Sequence, residues 1–235
     1  MKKHLPNILT LSNLTLGLMA IFYGLTQVNL ILCSWLIFTG ILLDFLDGKI
    51  ARFLKVESDY GKQLDSFADM VTFGIAPAVI MFKMIGEHSN ELSYIAFLIP
   101  IFSAIRLAQY NIDEKQGDYF IGISTPINAL FFCSIPIIIN YEYQIESNII
   151  GEIVLHYITD VNFLFMSSII FSLLLIYPIK TFSLKSFNDN YLEKNLKLIF
   201  IITSFSLFFL LKYTSFPLIV FFYIFLSIIF NINKK

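Results

Sequence analysis

Residues 30–52 read LILCSWLIFTGILLDFLDGKIAR. No charge interrupts the stretch before Asp44, and a helix of this length, rising about 1.5 Å per residue, crosses a hydrocarbon layer of about 30 Å. It closes on Asp44 and Asp47, followed by Gly48, Lys49 and Arg52. A hydrocarbon-length helix ending in carboxylates poses two questions: how many such helices the chain has, and what the carboxylates do.

Seven further apolar stretches read the same way, near residues 7–27, 63–85, 92–110, 126–141, 161–179, 196–212 and 216–232. The stretches 126–141, 196–212 and 216–232 are short and draw on flanking Tyr and Lys as interfacial anchors. The expectation is an all-α, polytopic membrane bundle of about eight transmembrane helices. Composition agrees: of 235 residues, 57% are hydrophobic and 14% charged, with a mean hydropathy of +0.76, outside the soluble range. The first apolar run follows Lys2 and Lys3 but is longer than a signal-peptide core and has no small-x-small cleavage site, so it reads as a retained helix. The polar stretches around 111–125 and 180–197 are loop-sized, and no internal repeat is visible. A single membrane domain, 1–235, therefore accounts for the chain, with additional C-terminal spans at about 161–232.

Lys and Arg gather in cytoplasmic loops of such proteins. With these spans, Lys49, Arg52, Lys55, Lys62, Arg106, Lys115, Lys180, Lys185, Lys194 and Lys197 fall on one side, together with both ends of the chain. Only Lys83 and Lys212 fall on the other, beside Glu87, Glu91, Glu142, Glu146, Glu152 and Asp160. Both termini are thus expected in the cytoplasm. The net charge of −1, from 16 Lys+Arg against 17 Asp+Glu, argues for no nucleic-acid partner. Cys33 and Cys133 lie in apolar runs and read as packing residues, while His4, His88 and His156 are isolated from one another.

Carboxylates at helix centres cost about 2.5–3.5 kcal/mol each on insertion scales, so those at the edges of spans call for explanation. Asp44 and Asp47 close the second stretch, and Asp65 and Asp69 open the third. At about 100° per residue, Asp44, Asp47, Gly48, Ala51 and Lys55 share one helical face, as do Gly61, Asp65, Ala68, Asp69 and Thr72. A short connection sets the two helices antiparallel, so the four carboxylates can meet at one depth. The helix dipole favours Asp65 and Asp69 near a helix start but disfavours Asp44 and Asp47 near a helix end. Two carboxylates about 6 Å apart repel by about 3 kcal/mol at an effective dielectric of about 20, so a cation belongs between them. Oxygen ligands without His or Cys select hard divalent ions, Mg²⁺, Mn²⁺ or Ca²⁺. Four carboxylates suffice for two such ions, the arrangement that serves phosphoryl displacements, and the ligand expected with them is a phosphate or diphosphate. Intramembrane carboxylates also mark ion pathways, which leaves a divalent-cation transporter as an alternative.

The ordered string Asp44, Asp47-Gly48, Ala51-Arg52, Gly61, Asp65 and Asp69 resembles the signature of the CDP-alcohol phosphatidyltransferases, integral enzymes that move a phosphatidyl or similar group from a CDP-linked donor to an alcohol. The catalytic signature thus covers 44–69, and Pro6-Asn7 and Thr10 are similar to the family's amino-terminal segment. Within the family the chain is most similar to the phosphatidylserine synthases, through the stretch from Leu64 to Ala78, the run Arg106-Leu107-Ala108-Gln109-Tyr110-Asn111, and the loop Gly122-Ile123-Ser124-Thr125-Pro126. Gln109 departs from the pattern, which has a second arginine there.

This resemblance implies transfer of a phosphatidyl group from CDP-diacylglycerol to L-serine, giving phosphatidylserine and CMP. The sibling acceptors, glycerol 3-phosphate and inositol compounds, remain alternatives. It further implies two ions, Mg²⁺ or Mn²⁺, held by Asp44, Asp47, Asp65 and Asp69, with Asp69 also the general base. Asn7, Thr10, Gly48, Ala51, Arg52 and Gly61 would bind CDP-diacylglycerol. Arg106 is the first candidate for the serine carboxylate, with a plain interfacial anchor as its other reading, and Lys115 is a second candidate. The family also implies a homodimer in a bacterial or archaeal cell membrane, with the site facing the cytoplasm.

Overall fold

A computed structural model describes residues 4–27, 29–112, 120–144, 149–181 and 191–233. It is the expected helical bundle, built from α1 (Leu5–Phe22), α2 (Leu30–Leu54), α3 (Asp59–Asp69), α4 (Ala76–Gly86), α5 (Asn90–Ser93), α6 (Leu98–Ile112), α7 (Thr125–Gln144), α8 (Ile149–Thr159), α9 (Val161–Ile176), α10 (Tyr191–Leu211) and α11 (Ser215–Asn233). A π-helical turn, Met70–Ile75, joins α3 to α4 into one long element. Its cause is local: Pro77 has no N–H to continue the ordinary ladder, and the register shifts just before it.

Five helical segments are long and apolar enough to cross a membrane: Leu5–Gln27, Leu30–Leu54, Asp59–Gly86, Asn90–Ile112 and Lys194–Ile229. A sixth joins them if α8 and α9, bent by 79°, are taken as one span. The segment Lys194–Ile229 is folded back on itself. Phe200 stacks on Phe222 with ring centroids 6.3 Å apart and meets Tyr223 edge-on at 5.7 Å, contacts that only an antiparallel α10–α11 hairpin allows. Lys212, at φ 50°, makes the reversal.

The element Asp59–Gly86 is the centre of the bundle. Phe73, Ile80, Met81 and Ile85 are fully buried against Phe131, Phe132 and Ile138 of α7 and Phe171 and Leu175 of α9, and the rings of Phe131 and Phe171 stack at 3.9 Å. Outward-facing Leu18, Phe22, Ile202, Phe205, Phe209 and Leu210 stay exposed, as side chains bathed in lipid do. Close approach of α1 and α2 to the central helix depends on two glycines. A Cβ on Gly40 would lie 2.7 Å from both Asn13 Oδ1 and Thr72 Cγ2, and one on Gly17 would collide with Thr72. The Thr72 hydroxyl donates to the Asn13 carbonyl at 3.0 Å across this contact.

Two elements go beyond the sequence expectation. Helix α8 occupies a region read as a loop, and it is set off from α9 by Asp160, whose carboxylate caps α9 by accepting from Asn162 N at 2.6 Å and Phe163 N at 3.3 Å. A short antiparallel pair, β1 (Phe120–Ile121) and β2 (Lys180–Thr181), ties the entry of α7 to the exit of α9, with Phe120 opposite Thr181. Cys33 and Cys133 are buried packing residues.

Candidate active site

The end of α2 and the start of α3 are fixed by short-range bonds. Lys55 takes a left-handed conformation (φ 53°, ψ 44°) that stops α2 and lets Val56 N–H close onto the Ala51 carbonyl at 3.0 Å. Three residues on, Ser58 caps α3 by accepting from Gly61 N at 3.1 Å. The turn between them is tight, and it sets the acidic faces of the two helices side by side. Asp44, Asp47 and Asp65 each offer a carboxylate oxygen, all within 4.8 Å of one another. Asp44 and Asp47 are only 3% and 4% exposed, and Asp69, one turn beyond Asp65, is 7% exposed. The Thr10 hydroxyl lies 2.7 Å from Asp47 Oδ2, and Thr125 donates to Asp69 Oδ2 at 3.3 Å.

Buried carboxylates this close need a cation, and the all-oxygen donor set fits a hard divalent ion. Three oxygens gathered within 4.8 Å form a cluster of the size that a shared divalent ion can draw together.

Two cavities meet at the carboxylates. The first, about 230 Å³, is lined among others by Asp44, Asp65, Asp69 and Arg106. The second, about 380 Å³, contains Asp47 together with all six residues expected to bind the donor: Asn7, Thr10, Gly48, Ala51, Arg52 and Gly61. Lys62, Asp65 and Tyr110 belong to both walls. In the second cavity Arg52 arches over Gly48, with its Nη atoms 3.5–3.6 Å from where a Cβ would stand. Its Nε and Nη2 are buried and make no hydrogen bond among the described residues, so a cationic fork is held ready beside Asp47. Asn7 reaches toward Gly61, its Oδ1 3.4 Å from the position of a Cβ there.

In the first cavity Lys62 is joined by a second cation, Arg106, 7% exposed and within electrostatic reach of Asp69. Helix α6 is held in this place by its last turn. Lys62 Nζ donates to the Asn111 carbonyl at 3.3 Å, and Asn111 Nδ2 donates to Ser66 Oγ at 2.9 Å. Gln109, the departure from the family pattern, is exposed and lines neither cavity. Lys115 lies outside the described residues.

Sequence reasoning did not single out Lys62, Tyr110, Thr125, Thr181 or Tyr223 as wall residues. Thr125 sits in the Gly/Pro loop already noticed, and a hydroxyl beside Pro126 at a helix start is a visible signal. Thr181 and Tyr223 arrive from the far end of the chain and carry no such signal.

The sequence model of the CDP-alcohol phosphatidyltransferase family matches residues 3–159, more than half of the 235-residue chain. The chain belongs to this family. Among its relatives is a CDP-diacylglycerol–serine O-phosphatidyltransferase from Helicobacter pylori, 36% identical over 146 residues that make up 61% of each chain. Proteins of the same name from Bacillus subtilis and Methanocaldococcus jannaschii are each 34% identical, over 60% and 66% of this chain and 77% and 70% of their own. The match thus spans about 61% of the Helicobacter protein's length. The family-matched part of the chain contains every acidic residue of the site, whereas α9, α10 and α11 lie beyond it.

Proposed function

We propose that the protein transfers a phosphatidyl group from CDP-diacylglycerol to L-serine, giving phosphatidylserine and CMP. The observation that carries this is the meeting of Asp44, Asp47 and Asp65 within 4.8 Å at the junction of two cavities, one of which holds Asp69 and Arg106. The serine acceptor is supported by the names of the relatives from three genera.

In this reading the second cavity takes the nucleotide end of the donor. Gly48, Ala51 and Gly61 leave room for it, Asn7 and Thr10 offer polar contacts, and Arg52 pairs with its phosphates. Asp44, Asp47, Asp65 and Asp69 would hold two divalent ions, Mg²⁺ or Mn²⁺, which supply positive charge to the diphosphate when bound. The first cavity takes the acceptor, and its volume of about 230 Å³ suits a small molecule, since drug-sized ligands occupy about 300 Å³ or more. Asp69 accepts the proton of the serine hydroxyl as that oxygen attacks the phosphorus attached to the lipid. The new P–O bond forms as the bond to CMP breaks, in one displacement without a covalent enzyme intermediate. Arg106 holds the serine carboxylate. A site at the cytoplasmic end of the spans reaches lipid donor and water-soluble acceptor alike.

The test is CMP release by purified protein from CDP-diacylglycerol and Mg²⁺ or Mn²⁺, with L-serine, glycerol 3-phosphate and inositol offered in parallel. Release with serine alone is expected. Release with another acceptor would reassign the substrate, and cation transport without CMP release would overturn the enzyme reading.

A further inference from the structure

Residues 160–233 lie outside the family-matched segment, yet two of them return to the site. Thr181 of β2 and Tyr223 of α11 are 1% and 4% exposed and line the first cavity together with Asp69 and Arg106. Their placement is built rather than incidental. The β1–β2 pair fixes Thr181, whose hydroxyl donates to the Gly122 carbonyl at 3.1 Å. Gly122 stands at φ +75°, and only glycine fits there, because a side chain would collide with the Leu175 carbonyl. The α10–α11 hairpin in turn fixes Tyr223, packed against Leu196 and Phe200. The two hydroxyls are hydrogen-bonded to each other. Since Thr181 has given its single proton to Gly122, it accepts from Tyr223, and Ser227 is a further hydrogen-bond partner of Tyr223; a hydroxyl oxygen has two lone pairs, so this pair presents acceptor oxygens to the cavity.

An amino acid entering this cavity brings three polar groups. Its carboxylate suits Arg106 and its hydroxyl must reach Asp69, which leaves an ammonium group to be satisfied. Asp44 and Asp65 line the same cavity but are engaged by the metal ions in the serine reading, and Arg106 and Lys62 repel the ammonium, so it turns to neutral oxygens. We propose that Tyr223 and Thr181, contributed by the segment beyond the family-matched region, form the acceptor-selecting wall of the first cavity and take the ammonium group of an amino acid. This rests on the serine reading above and deepens it. The family-matched part supplies Arg106 and Asp69 to the acceptor, and the segment beyond it supplies the remaining contact.

The test measures KM for L-serine and for CDP-diacylglycerol with the full-length protein in detergent, for wild type, Tyr223→Phe and Thr181→Val. Each substitution removes a hydroxyl and keeps the shape. A lost hydrogen bond to a charged group predicts a serine KM raised about tenfold or more, with kcat and the KM for CDP-diacylglycerol within about twofold of wild type. An unchanged serine KM in both variants, while the wild type makes phosphatidylserine, overturns the inference and leaves the function standing. A parallel rise in the KM for CDP-diacylglycerol also overturns it, because the effect is then not confined to the acceptor. Absence of CMP release by the wild type on adding serine sinks the serine reading itself, and this inference with it.

Discussion

Asp44 and Asp69 lie in different surroundings, which supports the different work proposed for them. Asp44 stands in the group of three carboxylates whose oxygens lie within 4.8 Å. Asp69 stands one turn deeper along the central helix, held by Thr125 and facing Arg106. Replacing Asp44 with Asn removes a charge from the proposed metal cradle, and binding of Mn²⁺ and of CDP-diacylglycerol should fall together. Replacing Asp69 with Asn removes the proposed base, and turnover should fall on the order of 10³-fold while donor binding stays within a few fold. Steady-state CMP release combined with equilibrium binding separates the two outcomes. Near-normal turnover in both variants would refute these roles. The four aspartates were legible in the sequence because charge is so scarce in the spans that each one stands out. Thr125 and Tyr110 were not, because hydroxyls in apolar helices are common and nothing in the sequence gives their depth or direction.

Glycines separate packing from function at the level of the helices. Gly40 sits where α2 touches α1 and the central helix, and an added Cβ would stand 2.7 Å from Asn13 Oδ1 and Thr72 Cγ2. Gly40→Ala should therefore cost about 1–3 kcal/mol, read as a thermal midpoint lowered by several degrees. Gly48 is two turns nearer the site, and an added Cβ there meets only the end of the Arg52 side chain at 3.5 Å, an ordinary contact. Gly48→Ala should leave the midpoint nearly unchanged and instead raise the KM for CDP-diacylglycerol. A thermal midpoint that drops in Gly48→Ala and holds in Gly40→Ala would invert this assignment. Hydropathy announced the helices within a few residues of their observed ends, since a hydrocarbon-length apolar run has one regular solution in a membrane. Helix α8 was hidden because it is too short to span, and the β1–β2 pair because two-residue strands leave no periodic trace.

Across the whole molecule, the carboxylates, both cavities and the basic residues Lys49, Arg52, Lys55 and Lys62 share one end of the bundle, and Lys212 with Glu142 and Thr214 marks the other. In the proposed orientation, which the positive-inside bias supports, the end that carries the site faces the cytoplasm. Because Cys33 and Cys133 are buried, Lys55→Cys and Lys212→Cys can report sidedness on a quiet background. An impermeant maleimide should label the first only in inside-out vesicles and the second only in right-side-out ones, and the reverse pattern would turn the protein over. The C-terminal hairpin brings Tyr223 across to a site founded by residues near the other end of the chain, a closure that follows from tertiary packing and from nothing in local sequence. The most direct measurement of the central claim is a Mn²⁺ titration of the purified protein followed by electron paramagnetic resonance, comparing wild type with Asp44→Asn and Asp65→Asn. Tight binding by the wild type that is lost in both variants is the predicted result, and binding of equal strength in all three proteins would contradict it.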